Sequence, residues 1–265
     1  MTRLEGQCRA LLFHGSAGAL LGEIDEVAQL LARTCELAAR SGDPELFMTA
    51  HLYRGTIEIQ CGRAPEGLEA LEVGRLVAEK SCDVRFLGAL TEMTGTAHLY
   101  LGDGRKAVRL YEEAAAIGDG TPRQHVFTRA LSRLDPQAAT EAVEGIATFA
   151  AAANLRTRAR WEALRRAAAT DADLAAALQQ CEQLGRQDHR QTVALLAERG
   201  VLRTDVPADE LADQLWVVMR SAQCQRLVGR AGWTEERYTA WLRRAAVQIL
   251  LPGPRPVDHL LGVLA

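Results

Sequence analysis

Six cysteines and six histidines are the side chains of this sequence best suited to metal binding or nucleophilic chemistry, and their spacing supports neither. Cys8, Cys35, Cys61, Cys82, Cys181 and Cys224 never fall at Cys-x-x-Cys separation, and no His-Glu-x-x-His pair occurs, so no metal or other cofactor is expected. Asp188 and His189 are sequence neighbours, which on a helix turns them about 100° apart rather than toward one substrate. Gly102-Asp103-Gly104-Arg105-Lys106 has the composition of a phosphate loop, but helical patterns flank it and no strand precedes it, so it reads as a turn. No serine sits on a strand-to-helix elbow. The chain is therefore read as non-catalytic. What remains is recognition. Trp161, Leu164, Cys181, Leu184, His189, Trp216, Met219 and Gln223 form an apolar set with a few polar groups, the lining expected of a cavity for a small hydrophobic effector. The same side chains equally suit ordinary core packing, and His189 can face solvent instead.

The elements that must position these groups are helices. Ala, Leu, Glu and Arg dominate, β-branched and aromatic clusters are scarce, and the fold class is all-α. A length of 265 residues with 48% hydrophobic content gives room for two bodies, each with its own core. The net charge of −3 offers no general attraction to phosphate backbones, so DNA binding by this chain alone is not expected. Its densest basic run, Arg156, Arg158, Arg160, Arg165 and Arg166, reads as a solvated helix face. The apolar stretch near the N-terminus is broken by His14, Gly15, Glu23 and Asp25, and it suits neither a signal peptide nor a membrane span. Unpaired cysteines and this start imply a cytoplasmic protein.

The first half repeats itself. A shift of forty residues superposes Gly15, Gly55 and Gly95, and also Gly22, Gly62 and Gly102. Ser16, Thr56 and Thr96 align with them, as do Leu31, Leu71 and Tyr111. Each unit reads as two helices and a turn: Thr49 to Cys61 then Pro65 to Glu79, and Phe86 to Leu101 then Arg105 to Ile117. Gly62 suits a left-handed residue after a helix, and Pro65 the first turn of the next. Gly55 and Gly95 fall inside helices, where glycine costs about 1 kcal/mol relative to alanine. That cost points to close helix approach, against Gly67 or Ala107. These positions resemble tetratricopeptide repeats over about residues 9–118, within a first region of 1–121. The family's early Trp is replaced by Leu11, His51 and Thr91, and its terminal Pro is missing. The resemblance implies a concave groove, including Leu52, Thr56, Glu92 and Thr96, that receives a peptide or helix from a protein partner. Alternatively the repeats are a packed spacer.

The second half differs. A connecting region at 122–134, with a capping helix from Arg123 to Arg133, is followed by a body at 135–252 and a tail at 253–265. Helices are expected at Pro136 to Asn154, Thr157 to Ala169, Asp171 to Arg199, Pro207 to Arg230 and Glu235 to Leu251. Trp233 and Tyr238 flank a Thr234 cap at staple spacing. Tyr238, Trp241, Leu242, Ala245 and Ile249 form one apolar stripe. Leu211, Leu215, Val218 and Ala222 form another, beside Ala212, Trp216 and Met219. So wide an apolar arc asks for two partners, the chain's own core and a second subunit. The stretches Leu164–Leu174, Val193–Arg203, Ala212–Trp216 and Gly232–Tyr238 resemble the C-terminal region of TetR-family regulators. That resemblance implies a homodimer through the last two helices and an effector pocket among the earlier ones. Arg220-Ser221-Ala222-Gln223 departs from the Ser-Pro-Glu often found there, and no helix-turn-helix segment precedes Asp135. The expectation is a dimeric regulatory protein that senses a small apolar ligand and contacts a protein through its repeats. The alternatives are an interaction scaffold without a ligand, or a DNA-binding regulator using an unrecognised element.

Overall fold

A computed structural model describes residues 3–20, 24–117, 131 and 134–252, and every regular element among them is helical. The expected connecting region lies outside the described residues except for Leu131, which is buried, and Leu134; the tail from 253 lies outside them too.

The first half is three helical hairpins: α1 (Arg3–Leu20) with α2 (Ile24–Ser41), α3 (Pro44–Gln60) with α4 (Ala64–Ser81), and α5 (Val84–Leu101) with α6 (Gly104–Ile117). Each hairpin packs on the next. The forty-residue period is written into the backbone. Gly62 and Gly102 both end a helix at positive φ, 81° and 85°, and Gly42 and Cys82 do the same at 72° and 53°. An aspartate follows each of the second pair. Asp43 accepts from the Glu45 and Leu46 amides at 2.9 and 3.2 Å, and Asp83 from the Arg85 and Phe86 amides at 3.1 and 3.4 Å. These caps fix where α3 and α5 begin.

Cys82 is the one described non-glycine residue at positive φ. Its Cβ crowds the following carbonyl there, and its counterpart forty residues earlier is glycine. Cys82→Gly should therefore raise stability by about 0.5–1 kcal/mol, net of the extra freedom glycine gains when unfolded. A urea midpoint that stays put or falls would count against strain at this position.

Inside the hairpins, a Cβ on Gly55 would lie 2.4 Å from Leu71 Cγ and 3.1 Å from the Gly67 carbonyl oxygen. One on Gly95 would meet the Tyr111 ring at 3.0 Å and Leu110 Cβ at 3.2 Å first. Missing side chains therefore set the helix separation in both units, through bulky partners as much as small ones.

The second half opens with a turn at Pro136–Ala138, capped by Asp135, and continues as α7 (Ala139–Ala167), α8 (Ala172–Glu198) and α9 (Ala208–Met219). Then come a short α10 (Ser221–Cys224), a π-helical turn (Gln225–Arg230) and α11 (Glu235–Leu250). Two expected boundaries are corrected. The two helices expected at Pro136 to Asn154 and Thr157 to Ala169 are one helix of 29 residues. The polar residues at the expected junction, Asn154 and Thr157, are buried. Thr157 Oγ1 donates to the Ala153 carbonyl at 2.7 Å, and the Asn154 amide donates across to Met219 and Tyr238. Conversely, the single helix expected from Pro207 to Arg230 breaks at Arg220, which is extended (φ −66°, ψ 143°). The Met219 carbonyl, freed from the helix ladder, is the acceptor for Asn154 at 2.9 Å. A distant side chain holds that break.

The Thr234 cap of α11 forms, with Thr234 Oγ1 accepting from the Arg237 amide at 3.2 Å. Trp233 packs edge-on against Trp241, 6.3 Å between centroids, and Trp241 stacks on Tyr238. The expected staple has Trp241 as its middle member.

The largest departure concerns the two bodies. One continuous apolar cluster runs from Cys8 and Leu12 of α1 through Leu52 and Ile57 of α3 to Val143, Leu215 and Leu242 of the second half. Helix α7 packs on α11 and α10 and also on α1 and α3, while α8 packs on α5 and α6. The apolar faces of α1, α3 and α5 need covering, and the α7–α8 pair supplies the cover. Polar ties reinforce the join: Asp25 accepts from Arg63 of the repeats and Arg156 of α7 at 3.1 and 2.7 Å, and Arg105 pairs with Asp173. Hydrogen bonds from Arg63 and Arg156 hold the Asp25 carboxyl below the usual carboxylate range. Asp25 is exposed, so this contact aligns the halves more than it stabilises them.

Candidate functional site

Where the halves meet, a cavity of about 230 Å³ lies between α3, α5, α7, α8 and the end of α9. Helical spacing explains its lining. On α7, Asn154, Thr157, Trp161 and Arg165 recur at three- and four-residue intervals, which puts them on one face. On α8, Cys181, Gly185 and His189 do the same, with Glu182 beside them. Trp216 and Met219 come from α9. The break at Arg220 turns the chain so that Arg220 and Ser221 reach the cavity as well. Gln60 and Tyr100, at the ends of α3 and α5, close it from the repeat side.

Of the eight side chains expected to line a pocket, Trp161, Cys181, His189, Trp216 and Met219 line this cavity, and Leu164 lines a neighbouring hollow with Tyr100, Arg160 and Leu174. The others are displaced for identifiable reasons. Leu164 is buried with Leu99, Ala107, Tyr111, Leu174, Ala177 and Leu178, in a second apolar cluster that joins α5 and α6 to α7 and α8. Leu184 packs against that same cluster. Gln223 follows the Arg220 break and points its amide at the Val217 carbonyl.

The lining is more polar than expected. Arg165 stacks 5.6 Å from the Trp161 ring centroid and donates to Ser221 Oγ at 2.6 Å. Arg220 lies 4.6 Å over Trp216 and donates to the Glu182 carboxylate. Tyr100 meets Trp161 edge-on at 5.3 Å, and Arg160 donates to the Tyr100 carbonyl. His189 Nδ1 faces the Gly185 carbonyl at 2.6 Å, so that nitrogen carries the proton. Burial pushes the Cys181 thiol up to about 12 and the Tyr100 hydroxyl up as well, so both stay protonated at neutral pH and neither is a ready nucleophile. Burial also lowers the Arg165 pKa, although the group remains charged.

Sequence reading missed Arg165 because it sits in a basic run taken as solvated. The run in fact divides: Arg156 goes to Asp25, Arg160 to Tyr100, Arg166 to Glu162, and Arg165 to the cavity. The four-residue spacing from Trp161 to Arg165 was the available signal. Nothing local marked Tyr100 or Gln60, which belong to the other half.

The expected groove is corrected at Leu52, while Thr56, Glu92 and Thr96 are half-buried. Leu52 is 1% exposed, covered within the chain, so it is not open to a partner. Thr56 Oγ1 bonds the Leu52 carbonyl at 2.8 Å, and Thr96 Oγ1 donates to the Glu92 carbonyl and accepts from the Tyr111 hydroxyl. Glu92 is half-buried and also partnered.

The expected dimer face is corrected in part. Leu211, Leu215, Tyr238 and Leu242 are at most 1% exposed and belong to the chain's own core. Val218, Ala222, Trp241, Ala245 and Ile249 are half-buried, and Val217 is exposed. Val217, Val218 and Ile249 line a shallow surface hollow rimmed by Asp209, Glu210, Asp213 and Gln214.

Among the described residues, no group of three or more His, Cys, Asp or Glu side chains is placed to hold a metal ion, and no helix is long and apolar enough to cross a membrane. Compared with models of protein families, with curated proteins and with solved structures, the chain matches none.

Proposed function

We propose that this chain is a non-catalytic regulatory protein that senses a small organic ligand in the cavity between its halves. The observation that carries the reading is the composition of the lining, drawn from α3 and α5 on one side and α7, α8 and α9 on the other. A ligand there touches both halves at once. It would therefore bias how firmly they close on each other, which is what a sensor requires. The likeness of the second half to TetR-type effector regions supports a regulatory role, and that of the first half to tetratricopeptide repeats supports an adaptor that carries the response. Binding to a concave groove is not part of the proposal, since α7 and α8 cover that face.

A thermal-shift screen of small organic compounds tests it, because anything that binds only the folded state raises the melting temperature. Hits in a broad library are expected. Silence throughout would favour an interaction scaffold with no ligand.

A homodimer is the second part of the proposal. It is supported by the apolar side chains of α9 and α11 that one protomer leaves partly open: Val217, Val218, Trp241, Ala245 and Ile249. Val217 is 44% exposed, so Val217→Glu should split a dimer without disturbing the protomer's core. Light scattering reads both. A wild-type monomer at micromolar concentration would remove this part.

A further inference from the structure

We infer that the central cavity takes a small aromatic anion, one or two rings bearing a carboxylate or similar acid group, with the acid held at Arg165 and Ser221. The inference rests on the ligand-sensing reading above and names the class of ligand.

Charge carries it first. The two nearest carboxylates are already engaged: Glu182 with Arg220, and Glu162 with Arg166 and the Gln225 amide. That leaves Arg165 with no carboxylate in ion-pair contact among the described residues. Its one hydrogen bond among them is to Ser221 Oγ, while a guanidinium has five N–H donors. Arg165 is half-buried, so its charge is only partly solvated, and an acid that arrives with the ligand supplies the ion-pair partner it lacks. The Trp161 ring, 5.6 Å from the guanidinium carbon, and the hydrogen bond to Ser221 keep the Arg165 head at the cavity.

Size and shape carry it second. A cavity of about 150 Å³ accepts benzene and one of about 300 Å³ or more accepts drug-sized molecules, so 230 Å³ suits one or two rings. Tyr100, Trp161 and Trp216 give flat aromatic walls, and Cys181 and Met219 add apolar surface. A purely aliphatic ligand would leave Arg165 unmatched. A cation would face it.

The test is calorimetric titration of the full chain with 2-naphthoate and with its neutral analogue 2-naphthalenemethanol. The acid should bind at least about tenfold more tightly than the alcohol, as a charge-assisted hydrogen bond implies. Arg165→Met should bring the two affinities together, and Arg165→Lys should keep part of the preference. Gly185 lines the cavity and a Cβ there meets nothing within 4 Å, so Gly185→Phe should obstruct the site with little repacking and abolish binding. Unchanged naphthoate binding by Gly185→Phe would put the acid elsewhere and overturn the inference. So would an alcohol that binds as well as the acid, which leaves the sensor reading intact. If neither compound binds but the screen finds another class, only the anion inference falls. If the screen is silent too, both fall.

Discussion

Gly104→Val should destabilise the whole chain by about 3 kcal/mol, and Gly104→Ala by somewhat less. Gly104 opens α6, and a Cβ there would lie 2.6 Å from the Leu174 amide nitrogen, 2.7 Å from the Asp173 carbonyl carbon and 2.8 Å from Leu174 Cα. All three are backbone atoms at the start of α8, so no side chain can swing aside. Relief requires α6 and α8 to separate, which would open the cluster of Leu99, Ala107, Tyr111, Leu164 and Leu174 between them. Positive φ is not the reason for this glycine, since Gly104 is not among the residues that adopt it. The repeat supplies the comparison: forty residues earlier the same position is Ala64, fully buried, in a hairpin that packs on α8 far less than α6 does. Glycine stands where the second half docks. Gly185→Ala is the control, because its Cβ is unobstructed and it should gain up to about 1 kcal/mol from helix propensity. Urea unfolding of both variants decides the matter. An unchanged midpoint for Gly104→Ala would mean that the two helices do not approach this closely in solution.

The second large effect is expected at Asn154. Its side-chain nitrogen donates to the Met219 carbonyl at 2.9 Å and to the Tyr238 hydroxyl at 3.1 Å, all within the core. Leucine has nearly the same shape but cannot donate, so Asn154→Leu leaves two buried acceptors unpaired. The loss should be about 2–6 kcal/mol, from two groups each costing about 1–3. It should also disturb the turn at Arg220 and so weaken ligand binding. Tyr238→Phe removes one of the two acceptors. The double variant should therefore cost less than the sum of the single ones, a coupling that a double-mutant cycle by thermal denaturation measures directly. Strict additivity would show that Asn154 and Tyr238 act independently.

These two sites also show how far the sequence is readable. Local punctuation is legible because it acts on the residues beside it. Gly62 and Gly102 end helices, and Asp135, Asp171 and Thr234 start them, as composition and spacing suggest. The all-α class and the forty-residue repeat follow from the same kind of signal. Asn154 and Arg220 are different. A polar residue in a helical stretch reads as an ending unless its partner is known, and the partners of Asn154 are 65 and 84 residues away. The break at Arg220 is the other half of that contact. For the cavity, a stripe of aromatic and apolar residues on separate helices marked five of its walls. The polar walls, and those contributed by Tyr100 and Gln60, depend on how the halves dock, which periodicity along one chain does not encode.

The docking of α7 and α8 has a consequence for how such a chain can evolve. Open-ended arrays gain and lose whole units by duplication, since each unit touches only its neighbours. Here α7, at 29 residues and about 44 Å long, lies against α1 and α3, while α8 meets α5 and α6. The pair acts as a ruler for the array. A hairpin inserted among these three would shift either α1 or α6 out of register with it, so insertion within the array is opposed and change is channelled into side chains.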